Sequence, residues 1–176
     1  MAFHAALLAA SIGVIAEAGA ADPSRKIARV AYVAGDSASS SARSFSTFRD
    51  RLRELGWIEG QNLVIDQHWG EGNSARFPDL MSKALAGNPD VLVTLSTLGA
   101  IAAQKATRTV PIVVASMGDP VKMGVVTNLA RPGGNLTALS VGYTDGFAGK
   151  WLELLLEAVP KAKKIAVIWN LGNPVV

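Results

Sequence analysis

The sequence predicts an α/β protein built on a doubly wound parallel sheet. Three observations carry this. Short apolar, β-branched runs recur over residues 27–34, 63–69, 91–95, 112–115 and 136–141. Stretches with helical spacing lie between most of them. Small and polar residues stand where the runs stop, at Gly35-Asp36-Ser37, Ser96-Thr97 and Ser116-Met117-Gly118-Asp119-Pro120. Strands that alternate with helices imply a parallel sheet covered on both faces. Such sheets bind ligands beyond the carboxyl ends of their strands, which is where these polar residues fall.

The first strand, 27–34, leads into a serine-rich loop. Phe45, Phe48, Leu52 and Leu55 then recur at helical spacing, so 42–55 reads as an amphipathic helix, with Gly56 at the left-handed position beyond its end. Glu59-Gly60-Gln61-Asn62 is a turn. Residues 63–69 alternate, with Leu63, Ile65 and Gln67 on one face, and read as a strand near the edge. Ser74 is placed to cap a helix running to about Leu85, which Gly87-Asn88-Pro89 closes. The central strand, 91–95, precedes an alanine-rich helix over 98–106. After the strand at 112–115, Pro120 opens a further helical stretch, and Pro132-Gly133-Gly134-Asn135 turns the chain into the strand at 136–141. A longer helix carries Phe147, Trp151, Leu154, Leu155, Ala158 and Val159 on one side, and Pro160 ends it. A last strand is expected over 164–169.

At 176 residues, 49% of them hydrophobic, the chain is long enough to bury a core and makes one domain, with room for part of a second. There is no cysteine, which excludes disulfides, thiolate metal sites and a thiol nucleophile. The net charge of +3 is small and the basic residues are scattered, so nucleic acid is not an expected partner. Residues 5–16 form an apolar run of small residues, and Ala18-Gly19-Ala20 fits the small-x-small rule for signal-peptide cleavage. The run is too short to span a membrane. No Lys or Arg precedes it, so either the signal is atypical or the true start lies upstream of Met1; with Ala18-Gly19-Ala20 as the cleavage signal, the mature chain is expected to begin at Ala21.

The segments FSTFRDRLRELGWIEGQNLVIDQHWGEGN, NPDVLVTLSTLGAIAAQKATRTVPIVVASMGDPVKMGVVTNLARPGGNLTALSV and KWLELLLEAVPKAKKIAVIWNLGNP resemble the ABC-transporter substrate-binding protein family, related to the tryptophan/tyrosine-type periplasmic binding proteins. The resemblance runs from Ile27 to the end of the sequence and is most specific from Pro111 to Thr137. It implies a type I periplasmic-binding fold of two doubly wound lobes with a small ligand between them. The organisation it implies is a signal peptide at 1–20, an N-terminal α/β lobe at 27–142, a crossover connection and helix at 143–163, and the start of a truncated second lobe at 164–176. It also implies periplasmic localisation, a small-molecule ligand, and an ABC permease with its ATPase as downstream partners. The membrane is reached only through that permease.

Five residues are candidates for ligand contact: Ser37, Ser96, Thr97, Met117 and Asp119. Ser96 and Thr97 end a strand and open a helix, where hydroxyls cap and exposed amides attract a carboxylate; the two roles are compatible. Asp119 precedes Pro120, so it can cap, or it can pair with a ligand ammonium. Met117 can pack in the core or wall a cleft. Ser37, with Gly35, Asp36 and Ser39, lies in a surface loop that can hydrogen-bond a ligand. Thr137, Tyr143 and Asp145 lie on the way to the crossover, where they can line the cleft or serve the hinge; a structural role is the leading expectation. His68, on an edge strand without a nucleophile near it, reads as structural. HExxH, GxSxG, Walker A and GxGxxG patterns are absent, so the sequence gives no enzyme signal, and no cofactor is expected. The leading expectation is a solute-binding component of an ABC importer. The alternative is a sensory module of the same fold that signals to a kinase or receptor.

Overall fold

The computed structural model describes residues 27–128, 133–141 and 147–168. The expected signal segment, Tyr143, Asp145 and the end of the chain after Ile168 lie outside the described residues. Five parallel strands form one sheet: β1 (Ala28–Ala34), β2 (Leu63–Trp69), β3 (Val91–Thr94), β4 (Ile112–Met117) and β5 (Leu136–Ser140). Their order is β2-β1-β3-β4-β5. The chain winds outward from β1 to β2, then returns to the other side of β1 and winds the opposite way. The reversal puts the topological switch point between the ends of β1 and β3, where Val33 stands beside Thr94.

Side-chain alternation divides the core into two layers. Ala31, Val33, Leu92, Ile112 and Val114 face α2 (Phe77–Ala86) and α3 (Thr97–Ala106), meeting Phe77, Leu80, Met81, Ala84, Ala100 and Ala103. On the opposite face Val30, Tyr32, Ala34, Leu63, Ile65 and Val93 pack against Phe45, Phe48 and Leu52 of α1 (Ala42–Glu54). Gly56 ends α1 with φ +86°. Its N–H donates to the Arg53 carbonyl, and the Trp57 N–H donates to the Leu52 carbonyl at 2.9 Å. Only a residue free of a Cβ penalty takes this left-handed turn cheaply.

Several expectations need correction. Asn73, not Ser74, accepts from the first turn before α2; its Oδ1 takes the Ala75 N–H across a short 3₁₀ segment, Ser74–Arg76. Among the described residues between Pro120 and β5, no helix forms. Residues 120–124 make turns, and Gly124, with φ +66°, ends them before helix propagation begins. No strand forms over residues 164–168, where Val167 is 71% and Ile168 97% exposed. A strand exists only by pairing, and no strand of the sheet pairs with this segment.

The sheet is also covered unequally. α1 shields β1 and β2 but leaves an apolar trough of about 550 Å³ over β3, β4 and β5, lined by Val93, Val113, Ala115 and Leu139. The apolar side of α4 (Phe147–Ala158) is likewise exposed, Trp151 by 54%.

α3 approaches β3 closely. A Cβ on Gly99 would collide with the Thr94 hydroxyl and crowd the Phe77 ring. Gly99→Ala is therefore expected to cost about 1–3 kcal/mol by overpacking. Urea denaturation checks this, and Thr94→Ala in the same chain should recover part of the loss, because the two sites share one space.

Tyr32 is 1% exposed and rests against Phe45, Phe48 and Trp69 at ring distances of 5.0–5.5 Å. Burial pushes its phenol above the ordinary value of 10.0, the Ser44 hydrogen bond pulls it down, and the charge of Asp36 adds to the rise. The unfolded chain releases this proton first. The stabilisation is thus fully present below the unfolded value and is lost as pH rises through the folded one. Urea midpoints between about pH 9 and about pH 11 should fall more steeply for the wild type than for Tyr32→Phe.

Candidate functional site

The carboxyl ends of β1, β3 and β4 deliver three loops to one edge of the sheet. At the end of β3 the backbone of Ser96 is extended, and its hydroxyl accepts the Gly99 N–H at 3.0 Å, capping α3. The Ala100 N–H closes on the Ser96 carbonyl at 2.8 Å. The N–H groups of Thr97 and Leu98 have no acceptor among the described residues. They stand at the positive end of a ten-residue helix, where an anion is favoured. Ser96 uses its oxygen as acceptor, so its one proton remains available to donate.

Thr97 is buried, and its hydroxyl accepts the Gly118 N–H at 3.1 Å. This bond ties the start of α3 to the end of β4. Asp119 comes next in the chain. Its Oδ1 accepts the N–H groups of Val121 and Lys122 at 2.9 and 3.0 Å. Its Oδ2 has no partner among the described residues. The carboxylate is thereby oriented by one oxygen and keeps the other for a cation.

The structure thus brings Ser96, Thr97 and Asp119 together through Gly118. Ser37 lies at the end of the neighbouring strand β1 and is turned inward on its own loop. Its Oγ meets Ser39 Oγ at 3.0 Å and Ser40 Oγ at 2.9 Å. Met117 is 2% exposed and packs in the core with Ile112, Val114 and Leu136. It stands behind the strand ends rather than on their surface, because the register irregularity between Val114 and Met117 turns it onto the face that Ile112 and Val114 occupy. Thr137 is exposed on β5 beside the trough. His68 Nε2 lies 2.9 Å from Asp66 Oδ2, on the edge strand.

Three contributors escape sequence reading. Gln104 donates from Nε2 to the Val125 carbonyl at 2.6 Å and fastens the turn after Asp119 to α3. Ser140 Oγ donates to the Gly118 carbonyl at 3.3 Å. The Val141 N–H donates to the Met117 carbonyl at 2.9 Å. Only Ser140, at the end of an apolar run, carried a signal, and it was a weak one. No group of three or more His, Asp or Glu that could hold a metal occurs among the described residues. No described helix is long and apolar enough to cross a membrane.

A sequence model of the ABC transporter substrate binding protein family matches residues 26–175. The chain belongs to this family. It is 36% identical over 124 residues to a tyrosine-binding protein of Clostridioides difficile, an alignment that takes in 70% of this chain and 35% of that protein. A crystal structure of a conserved domain protein from Vibrio cholerae is similar with a TM-score of 0.73 and 34% identity, over 84% of this chain and 49% of that one. A domain from Streptococcus pneumoniae in complex with L-tryptophan is similar with a TM-score of 0.58 and 27% identity, over 64% and 38% of the two chains. The chain thus spans half or less of the relatives it matches. The doubly wound α/β lobe expected from the sequence is the fold these two structures share with it.

The Asp119 turn gives a direct stability prediction. Asparagine keeps the Oδ1 acceptor, so Asp119→Asn should stay within about 0.5 kcal/mol of wild type, whereas Asp119→Ala should lose about 1–2 kcal/mol. Chemical denaturation of the two variants checks this.

Proposed function

We propose that this chain is the ligand-binding first lobe of an exported solute-binding component of an ABC importer. The ligand is an amino acid with an aromatic side chain, of the tryptophan or tyrosine kind. One observation carries the reading. Two unpaired helix N–H groups, at Thr97 and Leu98, share the switch-point edge with a half-free carboxylate at Asp119. Donors for an α-carboxylate and an acceptor for an α-ammonium are what a zwitterion needs. The aromatic class rests on likeness to relatives described as tyrosine-binding and as holding L-tryptophan.

In this reading the ligand carboxylate meets the α3 amides and the Ser96 hydroxyl, its ammonium meets Asp119 Oδ2, and Ser37 borders the site from β1. Met117 supports the floor from behind. A second lobe closes over the ligand by a hinge motion, and a permease with its ATPase reads that closure. Residues 1–20 direct export, with cleavage after Ala20, so the working compartment is the periplasm.

Calorimetry with L-tryptophan and L-tyrosine tests this on two proteins. One is the 176-residue chain. The other carries the second half of the Vibrio cholerae relative after it. The longer protein should bind one of the two ligands with a Kd of about 1 μM, and the short chain should bind about 100-fold more weakly or worse, because half of the hydrogen bonds are missing. Asp119→Asn in the longer protein should weaken binding by about 10-fold. A folded longer protein that binds neither ligand would overturn the reading.

A further inference from the structure

We infer that the Gly118 backbone is a clamp, its N–H and its carbonyl held by the Thr97 and Ser140 hydroxyls, and that it positions Asp119 relative to the α3 N-terminus. The importance of that position rests on the binding reading above; the clamp itself does not. The Gly118 N–H donates to Thr97 Oγ1, at the start of α3, in a buried bond of 3.1 Å. The Gly118 carbonyl accepts from Ser140 Oγ, at the end of β5, at 3.3 Å. One residue, through the two peptide units that flank its Cα, therefore links the start of α3 to the end of β5.

The local backbone explains why a clamp is needed there. The β4–β5 pairing is regular from Ile112 to Val114 and then shifts before Met117 meets Ser140. Such an irregularity re-aims the chain, and the ladder ends just after it, with the Val141 N–H on the Met117 carbonyl. Past that point the sheet no longer dictates where Gly118 and Asp119 lie. Side-chain bonds take over that task. Thr97 is thus a positioning residue: its buried hydroxyl is committed to the protein, and its contribution to the site acts through Gly118. Ser140 performs the same service from the strand that leads out of the lobe. A shift of Asp119 on ligand binding would pull on both bonds, which gives the site a mechanical link to the end of β5.

Amide hydrogen exchange and backbone NMR on the 176-residue chain test the clamp without any ligand. Thr97→Val keeps the shape and removes the acceptor. It should speed exchange at the Gly118 N–H by about 10-fold or more, since the opening of one buried bond governs that exchange. It should also move the amide resonances of Asp119, Val121 and Lys122 while Val33 and Leu92 keep wild-type protection. Thr97→Ser restores the hydroxyl and should restore both readouts. Ser140→Ala should move the same resonances by releasing the carbonyl side. Unchanged Gly118 exchange in Thr97→Val overturns the proposal, and so does a Thr97→Ser chain that behaves like Thr97→Val. If Thr97→Val fails to fold, Ser140→Ala decides: no movement at Asp119–Lys122 overturns it. Failure of L-tryptophan and L-tyrosine to bind would count against the binding reading and leave these exchange results standing.

Discussion

The close approach of α3 to the sheet is the constraint on which the candidate site depends. Gly99, Ala100 and Ala103 present almost no side chain to β3 and β4, and all three are buried. Anything larger at Gly99 would strike Thr94. Because the helix sits this low, Thr97 can reach Gly118 and Gln104 can reach Val125. The loop after β4 is thereby hung on α3 at both of its ends. A helix standing one methyl group higher would leave that loop without either anchor.

The same proximity gives the polar residues at the strand ends two duties. Ser96 caps the helix and Asp119 holds a turn, yet neither exhausts its capacity in doing so. A hydroxyl that accepts still has a proton to give, and a carboxylate that orients itself by one oxygen still has the other. Capping and ligand contact are not competing roles here. The cap fixes the group that would bind, and a fixed group loses less entropy when a ligand arrives.

Away from the strand ends the lobe is unevenly finished. α2 and α3 cover one face, and the aromatic packing of Tyr32, Phe45, Phe48 and Trp69 secures α1 over half of the other. The remaining half, over β3 to β5, shows Val113 and a 70% exposed Leu139 to solvent. α4 shows its leucines as well. Contiguous exposed apolar side chains mark surfaces where another element or molecule can pack.

The sequence by itself determined the β/α alternation, the five strands, the two helices of strongest periodicity and the strand ends where the candidate site lies. Each of these rests on a local pattern: β-branched runs, a 3.6-residue spacing, or a polar stop after an apolar run. It also placed Ser96 as a cap, because capping is chemistry between near neighbours in the chain; Asp119, expected to cap a helix, holds a turn instead. The tertiary structure decided the rest. Residues 120–124 looked helical until Gly124 took a positive φ and stopped them. Residues 164–168 had a strand's composition, but a strand is defined by a partner, and composition does not supply one. Met117 went to the core because of the face it occupies on β4. The commitment of the Thr97 hydroxyl to Gly118, 21 residues away, depends on how low α3 lies on the sheet. Contacts between residues far apart in sequence depend on packing distances, and no local pattern records those.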